Sequence, residues 1–331
     1  MTEMTEQTAS SMDVLANDEK SPESKTQSTS QKQVWDKKAI LLSFPQPILV
    51  LGSMLFVATM VHFKWMNYRD YALLMILLPT PVLIIAERLW AKRPDWILKP
   101  DEMVEDAFWL AMGGLLWAPL ISDWYRTPIS EGFKAVRDMA PLNISLEPST
   151  FWGLIGCVLL MRLCSSFIYY WLHRVSHESL FFWRTHATHH HINKMGCMRG
   201  ARTHPLEYLA LSLSSPIILA LLGASTDVIA VSAAMGAWNG KLNHSNLPLT
   251  SMPVYDWVFA TAQQHHVHHA AVLRQANSNY GCNMIIWDRI FGTYCGDTEV
   301  GRIGAGRKAK RLTIKEQFAI AFYSNKKLKE M

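Results

Sequence analysis

Eight of the 13 histidines in this chain of 331 residues fall in two short stretches, HATHHHI at 186–192 and QQHHVHHA at 263–270. Imidazole is both a proton carrier and a metal ligand, and crowding at helical spacing points to the second use. His186, His189 and His190 stand at i, i+3 and i+4, so a helix places all three on one face; His265, His268 and His269 repeat the pattern. A further pair, His173 and His177 in HRVSH, is spaced i, i+4. His191 and His266 point away from those faces and are read as neighbours of the site or as incidental. His204 in RTHPLE and His244 in LNHSNL stand alone beside apolar blocks, while His62 is read as an ordinary interfacial side chain. A tetrahedral zinc takes four ligands, so this set suits two metal ions, each with about four or five imidazoles. Neutral imidazole accepts iron, zinc or copper, and the ligand type does not choose among them. The zinc-protease motif HExxH is absent.

Such ligands have to be held by rigid elements, and the chain offers apolar ones. Half of its residues are hydrophobic and 18% are charged. Apolar blocks run over 39–63, 71–90, 107–121, 151–172, 206–223 and 227–238. Crossing a bilayer core takes roughly 20 helical residues, a length that the first, second and fourth blocks meet comfortably. The third and sixth are short, which leaves them tilted, re-entrant or buried among the others. Trp90, Trp117, Trp152, Tyr169, Tyr170 and Trp171 sit at block ends, as in an interfacial belt. The fold class expected is an all-α, polytopic membrane bundle of about 4–6 spans or re-entrant helices, with a histidine-rich helical cap holding a two-metal site.

If the first four blocks cross and the last two form a hairpin, every histidine cluster lies on the side of the N-terminal segment. That side carries Lys20, Lys25, Lys32, Lys37, Lys38, Lys92, Arg93, Lys99 and the basic stretch GRKAKR, so the positive-inside rule assigns it, with both termini, to the cytoplasm. The loop at 122–150 mixes Asp123, Glu131, Asp138 and Glu147 with Arg126, Lys134 and Arg137, as an outer loop does. The net charge of +5 follows from this asymmetry, and no nucleic-acid motif accompanies it. Three segments are expected: a disordered, Ser/Thr/Gln-rich tail at 1–38, a membrane-embedded catalytic domain at 39–298, and a basic C-terminal tail at 299–331. No apolar core near the start marks a signal peptide. Five scattered cysteines favour reduced thiols over a disulfide framework.

The order HxxxH, HxxHH, HxxHH resembles the fatty acid hydroxylase and sterol desaturase superfamily of membrane di-iron oxygenases. The resemblance covers about Phe151 to Tyr294 and includes HPLE at 204–207, NHSN at 243–246, NSNYG at 277–281 and WDRIFGTY at 287–294, with AERLW at 86–90 as a weaker match. It implies two iron ions that activate O2 for attack on an unactivated C–H bond of a membrane lipid, ending in hydroxylation or desaturation. The implied metal ligands are His173, His177, His186, His189, His190, His244, His265, His268 and His269, with His204 as a further candidate. Glu178, directly after the first box as in the alkylglycerol monooxygenase branch, is the candidate carboxylate beside the ligands; Glu207, Asp256 and Asp288 are alternatives. With no fused haem or ferredoxin domain, electrons are expected from a ferredoxin, a cytochrome b5-like protein or a reductase in trans. One departure is Gly240, where fatty acid 2-hydroxylases carry a histidine four residues before the one matching His244. This shifts the comparison toward sterol, ether-lipid and ornithine-lipid enzymes. A His-rich metal transporter and a purely structural zinc protein are the alternatives from other classes.

Overall fold

The computed structural model describes residues 33–67, 70, 74, 77–139, 144–305 and 311–330. Most of the expected N-terminal tail, part of the second apolar block and most of GRKAKR lie outside the described residues. The described architecture is all-helical, with isolated β-bridges and no strands.

Four helices are long and apolar enough to cross a membrane: α1 (Lys37–His62), α3 (Pro100–Ile121), α5 (Phe151–Glu178) and α7 (Pro205–Leu222). The helix α2 (Pro79–Leu89) ends the second apolar block, and α4 (Thr127–Met139) follows α3. Between and beyond the spans lie α6 (Leu180–His190), α8 (Thr226–His244), α9 (Ala262–His268), α10 (Ile286–Ile290) and α11 (Ile314–Ala319). Short polar side chains start several of them by satisfying orphan backbone donors: Thr150 caps α5, Ser225 caps α8, and Thr261 with Gln264 forms a capping box on α9.

The third and sixth blocks resolve differently from each other. The third is 22 residues long, because α3 begins at Pro100, upstream of the apolar run. Its polar first turns are usable because Glu102, Glu105 and Asp106 meet buried arginines. Arg202 donates to Asp106 and to Glu105, each at 2.6 Å, and Arg199 donates to Glu102 at 3.1 Å. The sixth block becomes α8, the central helix. Val228, Val231, Met235, Trp238 and Leu242 are buried there against Val50, Met54 and Val57 of α1 and Leu154, Val158 and Met161 of α5. Its run of Ala, Ser and Gly lets neighbouring backbones approach closely.

One end of this bundle collects every polar terminus that matters to the site. Gln46, near the start of α1, donates to Asn239 and Asn243 near the end of α8. Glu87, near the end of α2, accepts from the backbone N–H groups of Cys197 and Asn246, each at 2.8 Å. The C-terminal segment also packs there. Leu312 and Ile320 join Trp183 and Ala187 in a core of their own, and Phe318 stacks on Trp109 at 4.8 Å. Part of the segment read from the sequence as a tail is therefore packed structure. All five cysteines are free.

Candidate metal centre

Four helices bring histidines to that end. The last turns of α5 supply His173 and His177, and α6 follows after one residue with His186, His189 and His190. The end of α8 supplies His244, and α9 with its cap supplies His265, His268 and His269. Their ligand nitrogens converge in two groups, His173, His177, His186, His190 and His268 in one and His189, His244, His265 and His269 in the other, each within 4.8 Å. The i, i+3, i+4 boxes are thus divided: α6 gives His186 and His190 to the first group and His189 to the second, and α9 is split likewise. All nine are buried.

Hydrogen bonding fixes which nitrogens face inward. The Nδ1 atoms of His173, His268, His189 and His244 donate to the carbonyls of Tyr280 (2.6 Å), Ser278 (2.8 Å), Arg202 (3.3 Å) and Gly240 (2.9 Å). His186 Nδ1 donates to the Glu207 carboxylate at 2.5 Å, and His177 Nδ1 to the Asn277 side-chain oxygen at 3.3 Å. A carbonyl only accepts, so each of these rings carries its proton on Nδ1 and leaves Nε2 bare. Bare Nε2 atoms nevertheless face one another: His173 and His177 each lie 3.0 Å from His186, and His189 lies 3.3 Å from His244. His265 Nε2 is 3.0 Å from that of His244 and 3.1 Å from that of His269. Lone pair against lone pair is repulsive unless a cation lies between them. With metal–nitrogen bonds of about 2.1 Å, ligands at right angles are about 3.0 Å apart and tetrahedral ones about 3.4 Å. The observed separations fall in this interval. His190 Nε2 and His268 Nε2 are buried without a hydrogen-bond partner, as are Nδ1 of His265 and His269. An all-nitrogen donor set with orphaned inward atoms fits two metal ions.

Burial disfavours the charged imidazole. It holds His265, His268 and His269 well below the ordinary histidine range, with neighbouring imidazoles adding to the effect. Neutral rings are the form that binds metal.

The remaining sequence candidates are placed as follows. His204 lies in neither group: its Nδ1 accepts from the Leu206 N–H and its Nε2 donates to the Phe318 carbonyl, both at 3.2 Å, so it caps α7 instead. Glu178 pairs with Arg174 at 2.7 Å on a partly exposed face. The carboxylate against a ligand is Glu207, one turn into α7, 3% exposed, with Oε2 unpartnered. Asp288 acts at one remove. It accepts from the N–H groups of Tyr280 and Gly281, each at 2.8 Å, and so holds the loop whose carbonyls orient His173 and His268. Burial raises its carboxyl to about 6. Asp256 pairs loosely with Arg289 and lies apart. His266 donates to the Ser245 carbonyl at 3.0 Å, outside both groups. Sequence reasoning gave little weight to Glu207 and none to the carbonyls of Arg202, Gly240, Ser278 and Tyr280. NSNYG was the signal for Ser278 and Tyr280, and Asn279 in it adopts the left-handed conformation with φ 54°.

Residues 158–293 match the sequence profile of the fatty acid hydroxylase family, a region that holds all nine clustered histidines. The chain carries a fatty acid hydroxylase domain. Ornithine lipid hydroxylase OlsE of Rhizobium tropici is 28% identical over 269 residues, covering 78% of this chain and 77% of that protein. Alkylglycerol monooxygenase of Xenopus tropicalis is 29% identical over 154 residues, and fatty acid hydroxylase vlmA of Lecanicillium sp is 28% identical over 192. The matches cover 32% and 52% of those two proteins. No solved structure matches. With relatives named as hydroxylases and monooxygenases, the fatty acid hydroxylase domain marks the chain as an oxygen-using oxidoreductase.

Proposed function

We propose that this chain hydroxylates a membrane lipid at a two-iron centre on the cytoplasmic face of the membrane, with electrons from a separate ferredoxin, cytochrome b5-like protein or reductase. The observation that carries this is the pairing of bare imidazole nitrogens at 3.0–3.3 Å in two adjoining groups beside membrane-spanning helices. His173, His177, His186, His190 and His268 would hold one iron, and His189, His244, His265 and His269 the other; His204 is left to cap α7. Bound iron would supply the activation of O2 needed to oxidise an unactivated C–H bond. The protein's own part is orientation and exclusion. Glu207 and four carbonyls hold the Nδ1 protons, and burial of the ring set limits water. The lipid enters from the bilayer between apolar helices.

Hydroxylation is favoured over desaturation because the relatives quoted bear hydroxylase and monooxygenase names. An aminolipid of the ornithine-lipid class is the first substrate to test, since the Rhizobium enzyme matches over 78% of this chain; sterol-like, fatty acyl and ether lipids follow. Metal transport would place ligands near the middle of the spans, whereas these nine gather at one end. The test joins metal analysis of purified protein to lipid mass spectra of a deletion strain and its complement. Two irons per chain and a lipid one oxygen heavier in the complemented strain are expected. Iron-free protein, or identical lipids in both strains, would overturn the proposal.

A further inference from the structure

At the end of the bundle away from the histidines, a cleft of about 590 Å³ opens between α4, the last turns of α7 and the start of α8. Three cations line it, Arg126, Lys134 and Arg137, against one carboxylate, Glu131, and one wall is apolar at Leu219 and Ala220. Arg137 is already committed, donating to Asp138 and to the Ala220 carbonyl. The other two are held more loosely. Lys134 lies 3.8 Å from Glu131, with both side chains more than half exposed. Arg126 donates Nη2 to the Ala118 carbonyl, while its Nε–H is buried with no acceptor among the described residues. A buried donor without an acceptor is unfavourable, and an anion in the cleft would relieve it.

The surroundings specify the source of that anion. On α4, Thr127, Ser130, Glu131, Lys134 and Arg137 share one helical face and all line the cleft, whereas Val136 and Met139 on the opposite side are 57% and 86% exposed. A polar face along the cleft and an apolar face on the opposite side make α4 amphipathic, as a helix at a lipid surface is. Exposed Trp124 and Trp152 lie at the same end, as at a membrane surface. We propose that this cleft binds the anionic headgroup of a membrane phospholipid, drawn from the leaflet opposite the metal centre, with an acyl chain along the Leu219–Ala220 wall.

The test uses the full-length protein, stripped of lipid in detergent and exchanged into mixed phosphatidylglycerol and phosphatidylcholine, with bound lipid counted by native mass spectrometry. Wild-type protein retains phosphatidylglycerol in preference. Arg126→Gln combined with Lys134→Gln reduces that preference about thirtyfold, at about 1 kcal/mol per removed charge, and Arg126→Lys with Lys134 intact keeps most of it. Ala220→Phe keeps every charge but fills the wall, and lowers retention of both lipids. Metal content, set at the other end, reports folding in each variant. An unchanged preference in the double glutamine variant overturns the proposal. So does complete displacement of phosphatidylglycerol by inorganic phosphate, which would make the cleft a free-phosphate site.

Discussion

At the residue scale, the site is defined by protons. Each ring tied through Nδ1 to a carbonyl or to Glu207 must present Nε2, the tautomer that the proposed metal ions require. Glu207→Gln keeps an acceptor for His186 but removes the carboxylate charge, so metal affinity or turnover should fall about 10- to 100-fold. Glu178→Gln, which breaks only a surface pair with Arg174, should leave both within about twofold. Equal effects in the two variants, measured by iron content and lipid turnover, would contradict the assignment of Glu207. The ring environment also sets a pH dependence. His265, His268 and His269 are held neutral in the fold, below their ordinary value of 6.5, while the unfolded chain titrates normally. As pH falls through about 6.5 the unfolded state binds protons first, so stability is full above that pH and declines below it. Melting temperatures of metal-free protein should be flat between about pH 7 and 8 and drop below about pH 6.5; a rise on acidification would refute this.

At the element scale, the two groups exist because α5, α6, α8 and α9 meet at one end and are held there by buried charge. Arg202 is 1% exposed, pairs with Glu105 and Asp106 of α3, and lends its carbonyl to His189. Arg202→Ala would leave two carboxylates buried beside one less cation and should cost about 3–5 kcal/mol of stability. Chemical denaturation with parallel metal analysis would detect it. Close approach matters as much. A Cβ at Gly200 would lie 2.8 Å from His244 Nδ1, and one at Gly304, where φ is +90°, would collide with the Ile192 carbonyl. Gly304 closes the site from outside, since its N–H donates to the His269 carbonyl while Ala305 donates to that of His190, both at 2.8 Å.

At the scale of the whole molecule, the bundle has the clustered histidines at one end and a charged cleft at the other, and the proposed function sets that axis along the membrane normal. Cysteines introduced as Lys99→Cys and Lys134→Cys should label from opposite sides of intact cells or vesicles, Lys99→Cys from the cytoplasmic side; labelling of both from one side would break the proposed topology. The C-terminal segment belongs to the fold as well. Gln317 accepts from Trp109 Nε1 at 2.7 Å and gives its carbonyl to Thr188 on α6. Truncation after Ala305 removes Leu312, Phe318 and Ile320 from their partners and should lower both the melting temperature and the metal content. A truncated chain with wild-type values would show that segment to be dispensable.

The sequence by itself carried the helical class, the membrane character and the histidines that cluster, because these rest on local properties: apolar run length, and the 3.6-residue period that puts i, i+3 and i+4 on one face. It also carried the family resemblance, which needs only the order of the boxes. Only the tertiary structure decided how the boxes are shared, with His189 parted from His186 and His190, because a helix face is about a turn wide and two centres can be set against neighbouring parts of it. Tertiary structure also set Glu207 against His186 and Glu178 against Arg174, since the two stand in different helices and differ in what the fold turns toward them. The length of α3 and the buried place of α8 were settled in the same way, since charges that mark a boundary in sequence become interior once Arg199 and Arg202, about a hundred positions away, arrive to pair with them.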